Sequence, residues 1–555
     1  MFAHVCDSLI HLLFGQVAVA MAQKRKRPNI AEPTLKELFA RDVVRRCNPS
    51  TPRPSVQHQD DPPLMPGAGY FSQLFARFLG RARPQEVLDL KVWLREKKVL
   101  NVATACSGTD VPLLVYRGFA TAIKDKLGLK IHLNHRFSCE QHAGKQSFLL
   151  TMFPSTPLLF NDATKLGSRH CHDVISGSEK AVPKDCSAMV AGWPCTDVST
   201  LNKSSSSADN KSCVMTGSLR TGGVFRGLLD FCKQHGKRLD FLGNENIPKL
   251  ARVSSESEPD NLTAAVWLLD TECDMWTKAW KLNPRLFGVP QDRDRLWFPS
   301  YRRRVLRDLG LSDDEASALL DDIMGRLVGC QLAPLDLYLL KPDSARLKEI
   351  IDSMPVAGDA NAQTSTTNTK PMKWPDSHLS LFKQRGLKWW ATNYPGDSEM
   401  AKYPMLARIL FREFDLLHLR GVVAFPTAER IIAEVSQSAD RYSSTTTDYI
   451  HAITPRMKFY LSDLCRFLVG DEELNLQSIF YEEPEKLSEF TNELLRNLSG
   501  NVFEGSCCAA VVFASYILLS KGAAARAGVP LSPQMQPEAS ADIDDEFDDI
   551  WGIGS

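Results

Sequence analysis

The chain has no surplus of charge of either sign. Its 66 lysines and arginines are balanced by 66 aspartates and glutamates, so any surface that meets a polyanion has to come from local clustering of cations, not a global field. It has 14 cysteines but no paired Cys-x-x-Cys spacing, and Cys507 and Cys508 are neighbours. Neither a zinc ribbon nor a disulfide framework is indicated, and a reducing compartment is the simplest reading. His170, Cys171 and His172 have no second ligand group at a recognisable distance and read as a surface loop, not a metal site. The apolar run around Leu9 to Phe14 is too short to span a bilayer and lacks a basic stretch before it, so no membrane partner is expected. Internal repeats are not evident, and no histone-reader or zinc module flanks the central region.

What is present is a globular composition, with 43% apolar and 24% charged residues, in a chain too long for one ordinary core. Residues 1–95 read as an N-terminal extension, partly disordered and rich in Pro, Arg and polar residues over 22–65. Lys24, Arg25, Lys26 and Arg27 form a basic tetrad that reads as a nuclear localisation signal; a solvated start is the bland alternative. An organellar targeting role for residues 1–20, or translation from Met21, stays open. From Val99 the pattern changes. Short apolar runs at 99–105, 131–139, 188–191, 239–242 and 296–298 alternate with helical stretches, which predicts an α/β fold with a mostly parallel sheet. Val224, Leu228, Leu229 and Cys232 recur at helical spacing and give one helix a stripe to lay on that sheet. Near 357–370 no apolar face can be drawn, so 306–450 reads as a separate unit with a flexible linker, its Trp374, Trp389, Trp390 and Arg408 serving as core and surface. Residues 526–555 form an acidic tail. Ile543, Phe547, Ile550 and Trp551 interleave its acids, which suits either a disordered segment that docks a chromatin or replication partner or a merely solubilising end.

Three stretches carry chemistry. Ala191-Gly192-Trp193-Pro194-Cys195-Thr196-Asp197-Val198-Ser199 puts a cysteine just past a strand's C-terminal end, where open α/β sheets bind ligands. The run 239–242 leads into Gly243-Asn244-Glu245-Asn246-Ile247 and places a carboxyl group at the same edge. Phe287-Gly288-Val289-Pro290-Gln291-Asp292-Arg293-Asp294-Arg295 carries two arginines two residues apart, on one face of an extended segment. Nucleophile, acid and cationic clamp are thus expected to converge.

In this order, over roughly residues 99–517, the chain resembles the cytosine-C5 DNA methyltransferase family. Pro194-Cys195 with Ser199 is similar to its nucleophile motif, Glu245-Asn246-Ile247 to its Glu-Asn-Val motif, and Gln291-x-Arg293-x-Arg295 matches Gln-x-Arg-x-Arg residue for residue. The resemblance implies a Rossmann-like core over 96–305 that uses S-adenosyl-L-methionine. Residues 306–450 fall where the family places its target-recognition region, and 451–525 return to the core. Cys106, Ser107, Gly108, Thr109 and Asp110 look like the Phe-x-Gly-x-Gly cofactor loop. Cys106 stands for the aromatic and Asp110 for the second glycine, a departure that alters how the cofactor is held unless Asp110 accepts a hydrogen bond from its amino group. Glu140 resembles the carboxylate that takes the ribose hydroxyls, and Asp162 with Ala163 the pair at the adenine. Pro194, Asn501 and Val502 belong to the same pocket, and Arg456 and Leu476-Gln477 are candidates for the motif before it.

The implied reaction flips a cytosine out of double-stranded DNA and adds the Cys195 thiolate to C6, its pKa depressed by nearby arginines. Glu245 serves the ring nitrogen as acid, and Arg295 and Arg293 hold the base oxygen and the carboxylate. Residues 201–223 suit a mobile lid hinged at Gly217, Gly222 and Gly223, and Arg302, Arg303 and Arg304 are candidate phosphate contacts. A tRNA cytosine as substrate is the alternative within the family. A catalytically inactive chromatin-binding homologue is the alternative outside it.

Overall fold

Helix α1 (Tyr70–Arg81) forms because Tyr70, Phe71, Leu74, Phe75 and Phe78 fall on one face, and all are buried. Pro84 opens α2 (Pro84–Lys97) at a position that needs no N–H, and Glu86 reaches back to the backbone N–H of Arg83 at 2.8 Å. The computed structural model describes residues 49–529 except 56–57, 59–60, 107, 200–201, 203–204, 206, 253–258, 354–424, 426, 435, 437–444 and 465. Ser107, the basic tetrad at 24–27, the first twenty residues, the linker at 357–370, Trp374, Trp389, Trp390, Arg408 and the acidic tail lie outside the described residues.

A mixed sheet of eleven strands follows. It comprises β1 (Val99–Ala105), β2 (His132–Cys139), β3 (Leu159–Phe160), β4 (His170–Asp173), β5 (Ser178–Ala181), β6 (Ala188–Gly192), β7 (Phe241–Asn246), β8 (Met275–Thr277), β9 (Trp280–Leu282), β11 (Arg295–Trp297) and β12 (Ser300–Arg302); β10 (Gln291–Asp292) lies outside it. The five central strands, in the order β3-β2-β1-β6-β7, are parallel, and both edges are antiparallel. Successive strands run outward from β1 through β2 to β3 on one side and from β6 to β7 on the other. The direction of winding therefore reverses between β1 and β6, which opens a crevice at their carboxyl ends. Helices α3 (Val111–Leu127), α4 (Ala143–Met152), α5 (Ala208–Thr216) and α6 (Leu219–Gln234) connect these strands.

Three expectations need correction here. The apolar run at 239–242 is not the whole of β7, which continues through Gly243 to Asn246. A Cβ on Gly243 would stand 3.0 Å from the Phe241 ring and 3.4 Å from Val190, so the glycine that ends the apolar pattern sits inside the strand for want of room. His170, Cys171 and His172 are not in a loop but form β4, paired antiparallel with β5. Residues 306–450 are not a separate unit throughout. Helix α7 (Asp313–Leu327) places Ala316, Leu320, Ile323, Met324 and Leu327 in the main core. A four-stranded sheet crosses the expected boundary at 450, pairing β13 (Ile432–Glu434) with β16 (Phe459–Leu461), with β14 (Thr445–Thr446) and β17 (Arg466–Phe467) outside them. β10 pairs in parallel with β15 (Ile450–His451).

The chain then returns through α8 (Asn492–Asn501) to α9 (Gly505–Ser520), every residue of which is buried. The span Asn492–Arg526 is long and apolar enough to cross a membrane, but its apolar window is wholly buried inside the protein. The lack of a polar face on α9 is explained by its place between α1, α2, α3 and α7. Phe513 meets Phe78 at 5.5 Å, Tyr516 stacks on Phe119 at 5.1 Å, and Ser515 meets the hydroxyl of Tyr301 on β12 at 2.8 Å.

Candidate active site

Strand β6 ends at Gly192, which pairs in register with Glu245 on β7, so the turn carrying Cys195 emerges beside that carboxyl group. Gly192 has no room for a side chain, since a Cβ there would stand 2.5 Å from the Phe503 ring. The backbone N–H groups of Val198 and Ser199 fold back onto the Cys195 carbonyl at 3.2 and 2.9 Å. Asp197 then fastens the turn to α6, accepting the Thr221 N–H at 2.6 Å, and Asn246 clamps its start by donating to the Trp193 carbonyl at 3.1 Å. Cys195, Glu245, Arg293, Arg295 and Pro194 line one cleft.

Burial pushes the Glu245 carboxyl above its ordinary value, against the opposing pull of Arg295 and Arg293. Arg295 Nε lies 3.1 Å from Glu245 Oε1. The two arginines divide their work. Arg293 is buried and gives its guanidinium to backbone carbonyls, those of Ile453, Val502 at 2.5 Å and Gly500 at 3.4 Å; burial draws its pKa down to about 9. The expectation that Arg293 holds the carboxylate or the base is corrected: it pins the returning chain against the site. The expected depression of the Cys195 thiol is also corrected. Burial raises its pKa, outweighing Arg295 and Arg293, while Glu245 adds to the rise.

Beyond the nucleophile the same cleft is lined by Cys106, Glu140, Asp162, Ala163, Asn501 and Val502. Cys106 follows β1 with φ +55°, and Gly108 has φ +63°. Burial pushes the Cys106 thiol up to about 12. Glu140 directly follows β2 and accepts the His142 N–H at 2.9 Å through Oε1; Asp162 follows β3 and caps the next turn through Thr164 N at 2.9 Å. Gly108, Thr109 and Asp110 do not line the cleft. Asp110, expected to reach the cofactor's amino group, is fully buried with φ +53° and accepts a hydrogen bond from Ser138. The left-handed backbone explains a glycine at this position in the family, and an aspartate is among the side chains that tolerate it.

Lys145 and Arg220 also line the cleft. Sequence reading missed both, because a lone cation in a helical stretch carries no signal that separates it from a solvated surface residue. The lid expectation does not hold over most of its span: α5 and α6 occupy it, joined at Gly217 with φ +65°. Gly222 lies inside α6, where a Cβ would stand 1.9 Å from the Cys213 carbonyl oxygen, so it is a packing contact and not a hinge; Gly223 is likewise helical. Arg302, Arg303 and Arg304 are spent internally. Arg302 donates to the carbonyls of Cys232 and Gly236, each at 2.6 Å, and Arg303 and Arg304 pair with Asp270 and Asp240. β12 pairs with the start of β7, the end away from Glu245, which explains why this triplet cannot serve the cleft. Gln477 is buried and donates to the Ser499 carbonyl at 2.9 Å, whereas Arg456 is exposed.

No family model matches the chain. It is 27% identical over 468 residues, or 80% of its length, to a protein of Cryptococcus neoformans var. grubii named DNA (cytosine-5-)-methyltransferase DMT5. It is 32% identical over 105 residues to a Verticillium dahliae protein of the same name. It spans 18% of the first and its match covers 4% of the second. Among solved structures, the Schizosaccharomyces pombe Dnmt2 methyltransferase aligns with a TM-score of 0.37 at 10% identity, over 75% of this chain and 97% of that one. The Entamoeba histolytica methyltransferase EhMeth aligns with a TM-score of 0.38 at 11% identity, over 75% and 98%. The chain thus resembles cytosine-C5 DNA methyltransferases in its motifs and, through the first relative, over most of its sequence.

Proposed function

We propose that this chain is the catalytic segment of a DNA (cytosine-5-)-methyltransferase that uses S-adenosyl-L-methionine. The observation that carries the reading is the juxtaposition, at the carboxyl ends of adjacent strands β6 and β7, of the Cys195 thiol with a Glu245–Arg295 pair in which Glu245 is pushed toward its protonated form.

Cytosine C5 is too weak a nucleophile to take an electrophilic methyl group directly. Addition of the Cys195 thiolate to C6 makes the ring an enamine, with the electron pair delivered to C5. Glu245 donates a proton or hydrogen bond to N3 as that addition proceeds, which a carboxyl group of raised pKa is suited to do. Arg295 holds the Glu245 carboxyl and offers its remaining donors to the base oxygen. Loss of the C5 proton to solvent after methylation lets the thiolate leave, and return of the N3 proton to Glu245 restores the ring. The base must be out of the duplex for any of this, at a cost of a few kcal/mol.

The residues present fit the cofactor. Two carboxylates, Glu140 and Asp162, stand at the ends of β2 and β3 with one oxygen each tied to a local N–H, and the loop after β1 turns through left-handed backbone at Cys106 and Gly108. They would hold the ribose hydroxyls and the adenine amino group. When bound, the cofactor supplies the methyl group as a sulfonium electrophile.

The test incubates wild-type protein and Cys195→Ser with duplex DNA containing 5-fluorocytosine and S-adenosylmethionine, with tRNA in parallel, and looks for a denaturation-resistant adduct. A DNA adduct that needs both Cys195 and cofactor is expected. An adduct on tRNA alone would move the substrate, and none on either would overturn the catalytic reading.

A further inference from the structure

One cation in the cleft makes no hydrogen bond or ion pair among the described residues. Lys145 lies in the first turn of α4, five positions after Glu140, and its Nζ makes no hydrogen bond or ion pair with any described residue. Its position is nonetheless defined. A Cβ on Gly108 would stand 3.7 Å from Lys145 Nζ and 4.0 Å from Glu140 Oε2, so the ammonium and one oxygen of the carboxylate both approach the loop after β1. On the α6 wall of the cleft Arg220 occupies the first turn of that helix, and its one hydrogen bond, to Gln141 Oε1, is long at 3.4 Å. The charges of Lys145 and Arg220 both act on the Cys106 thiol, and Arg220 also acts against the charged form of Lys145, whose pKa is drawn down chiefly by burial.

This arrangement is unfavourable as it stands. Two like charges share a cleft, and each occupies the first turn of a helix, the end at which backbone N–H groups already present positive potential and anions are preferred. Glu140 offsets part of this for Lys145. The remainder calls for an anion within the cleft. On the reading proposed above, the ligand carries a sulfonium, an ammonium and a single anionic group, the carboxylate of its methionine end.

We propose that Lys145 and Arg220 form the subsite that receives the carboxylate of the cofactor's amino-acid end. The assignment rests on the cofactor reading and extends it to two residues outside every motif. The alternative is that Lys145 merely orders Glu140, and the two roles predict different ligand dependence.

The test measures binding by calorimetry of S-adenosylmethionine, S-adenosylhomocysteine and decarboxylated S-adenosylmethionine to wild type, Lys145→Met, Arg220→Met and Lys145→Arg. Loss of one charge-assisted contact is expected to weaken the two carboxylate-bearing ligands about tenfold in each Met variant. The decarboxylated ligand should bind all four proteins alike, and Lys145→Arg should retain most of the affinity. Equal weakening of all three ligands by Lys145→Met would overturn the proposal and assign Lys145 to Glu140. If folded wild type bound none of the three, the cofactor reading itself would fall, an outcome distinct from the first because it appears without any substitution.

Discussion

Burial acts on Cys195 and Glu245 in the same sense, raising both groups toward their uncharged forms, but the proposed reaction needs only one of them uncharged. For the free protein this gives a signed prediction. Alkylation of Cys195 by iodoacetamide should rise with pH to a midpoint above the ordinary thiol value of 9.0. Arg295→Met removes the guanidinium that lowers the thiol and should move the midpoint further up; Glu245→Gln removes the carboxylate that raises it and should move it down. Mass-spectrometric alkylation rates over a pH series decide the matter, and a shift of the opposite sign in either variant would refute the electrostatic account. The two arginines of the Gln-x-Arg-x-Arg segment show what sequence can and cannot convey at this scale. Their spacing placed both at the cleft, but nothing in the spacing says that Arg293 ends on three carbonyls while Arg295 ends on Glu245.

Gly222 belongs to the scale of elements, because its contact is between two helices. A Cβ there would fall 1.9 Å from the Cys213 carbonyl oxygen of α5, a backbone atom that cannot rotate away. Gly222→Ala should therefore destabilise the protein by about 1–3 kcal/mol or more, seen as a lower urea midpoint. Gly223→Ala, whose Cβ would meet only the Gly217 carbonyl oxygen at 3.9 Å, should be near neutral or stabilising. Equal effects would show that the helices slide apart freely, as a lid would. The elements themselves were legible where hydrophobic period and length agreed, as in β1, β6 and the stripe of α6. They were misread where a residue's role depends on a distant partner. Glycines in 201–223 suggested hinges because their neighbours in sequence are polar, yet the atom that leaves Gly222 no room for a side chain is the Cys213 carbonyl oxygen of α5. Arg302 looked like a phosphate ligand because the carbonyls of Cys232 and Gly236 that consume it lie some seventy positions earlier in the chain.

At the scale of the molecule, the sheet is closed beneath by α9 and the cleft is walled by the segment just before it, Gly500 to Val502. Leu518, fully buried in α9, lies in the layer that packs on α1, α2, α3 and α7. Leu518→Ala should cost about 2–5 kcal/mol without altering cofactor selectivity, measured as a shift in urea midpoint at constant slope. A change in cofactor affinity without loss of stability would show that α9 acts on the cleft rather than on the core.

The order of synthesis gives this closure a further meaning. A ribosome delivers Cys195, Glu245 and Arg295 long before Val502 and α9, so a nascent chain carries all three over a core that is still open. A message cut short within that interval would yield a polypeptide in which the Cys195, Glu245 and Arg295 motifs can all be read and in which Arg293 has neither Gly500 nor Val502 to hold. Among naturally shortened or frameshifted copies of such a gene, the integrity of α9, not the presence of the cysteine, would separate chains whose core can close from those whose core cannot.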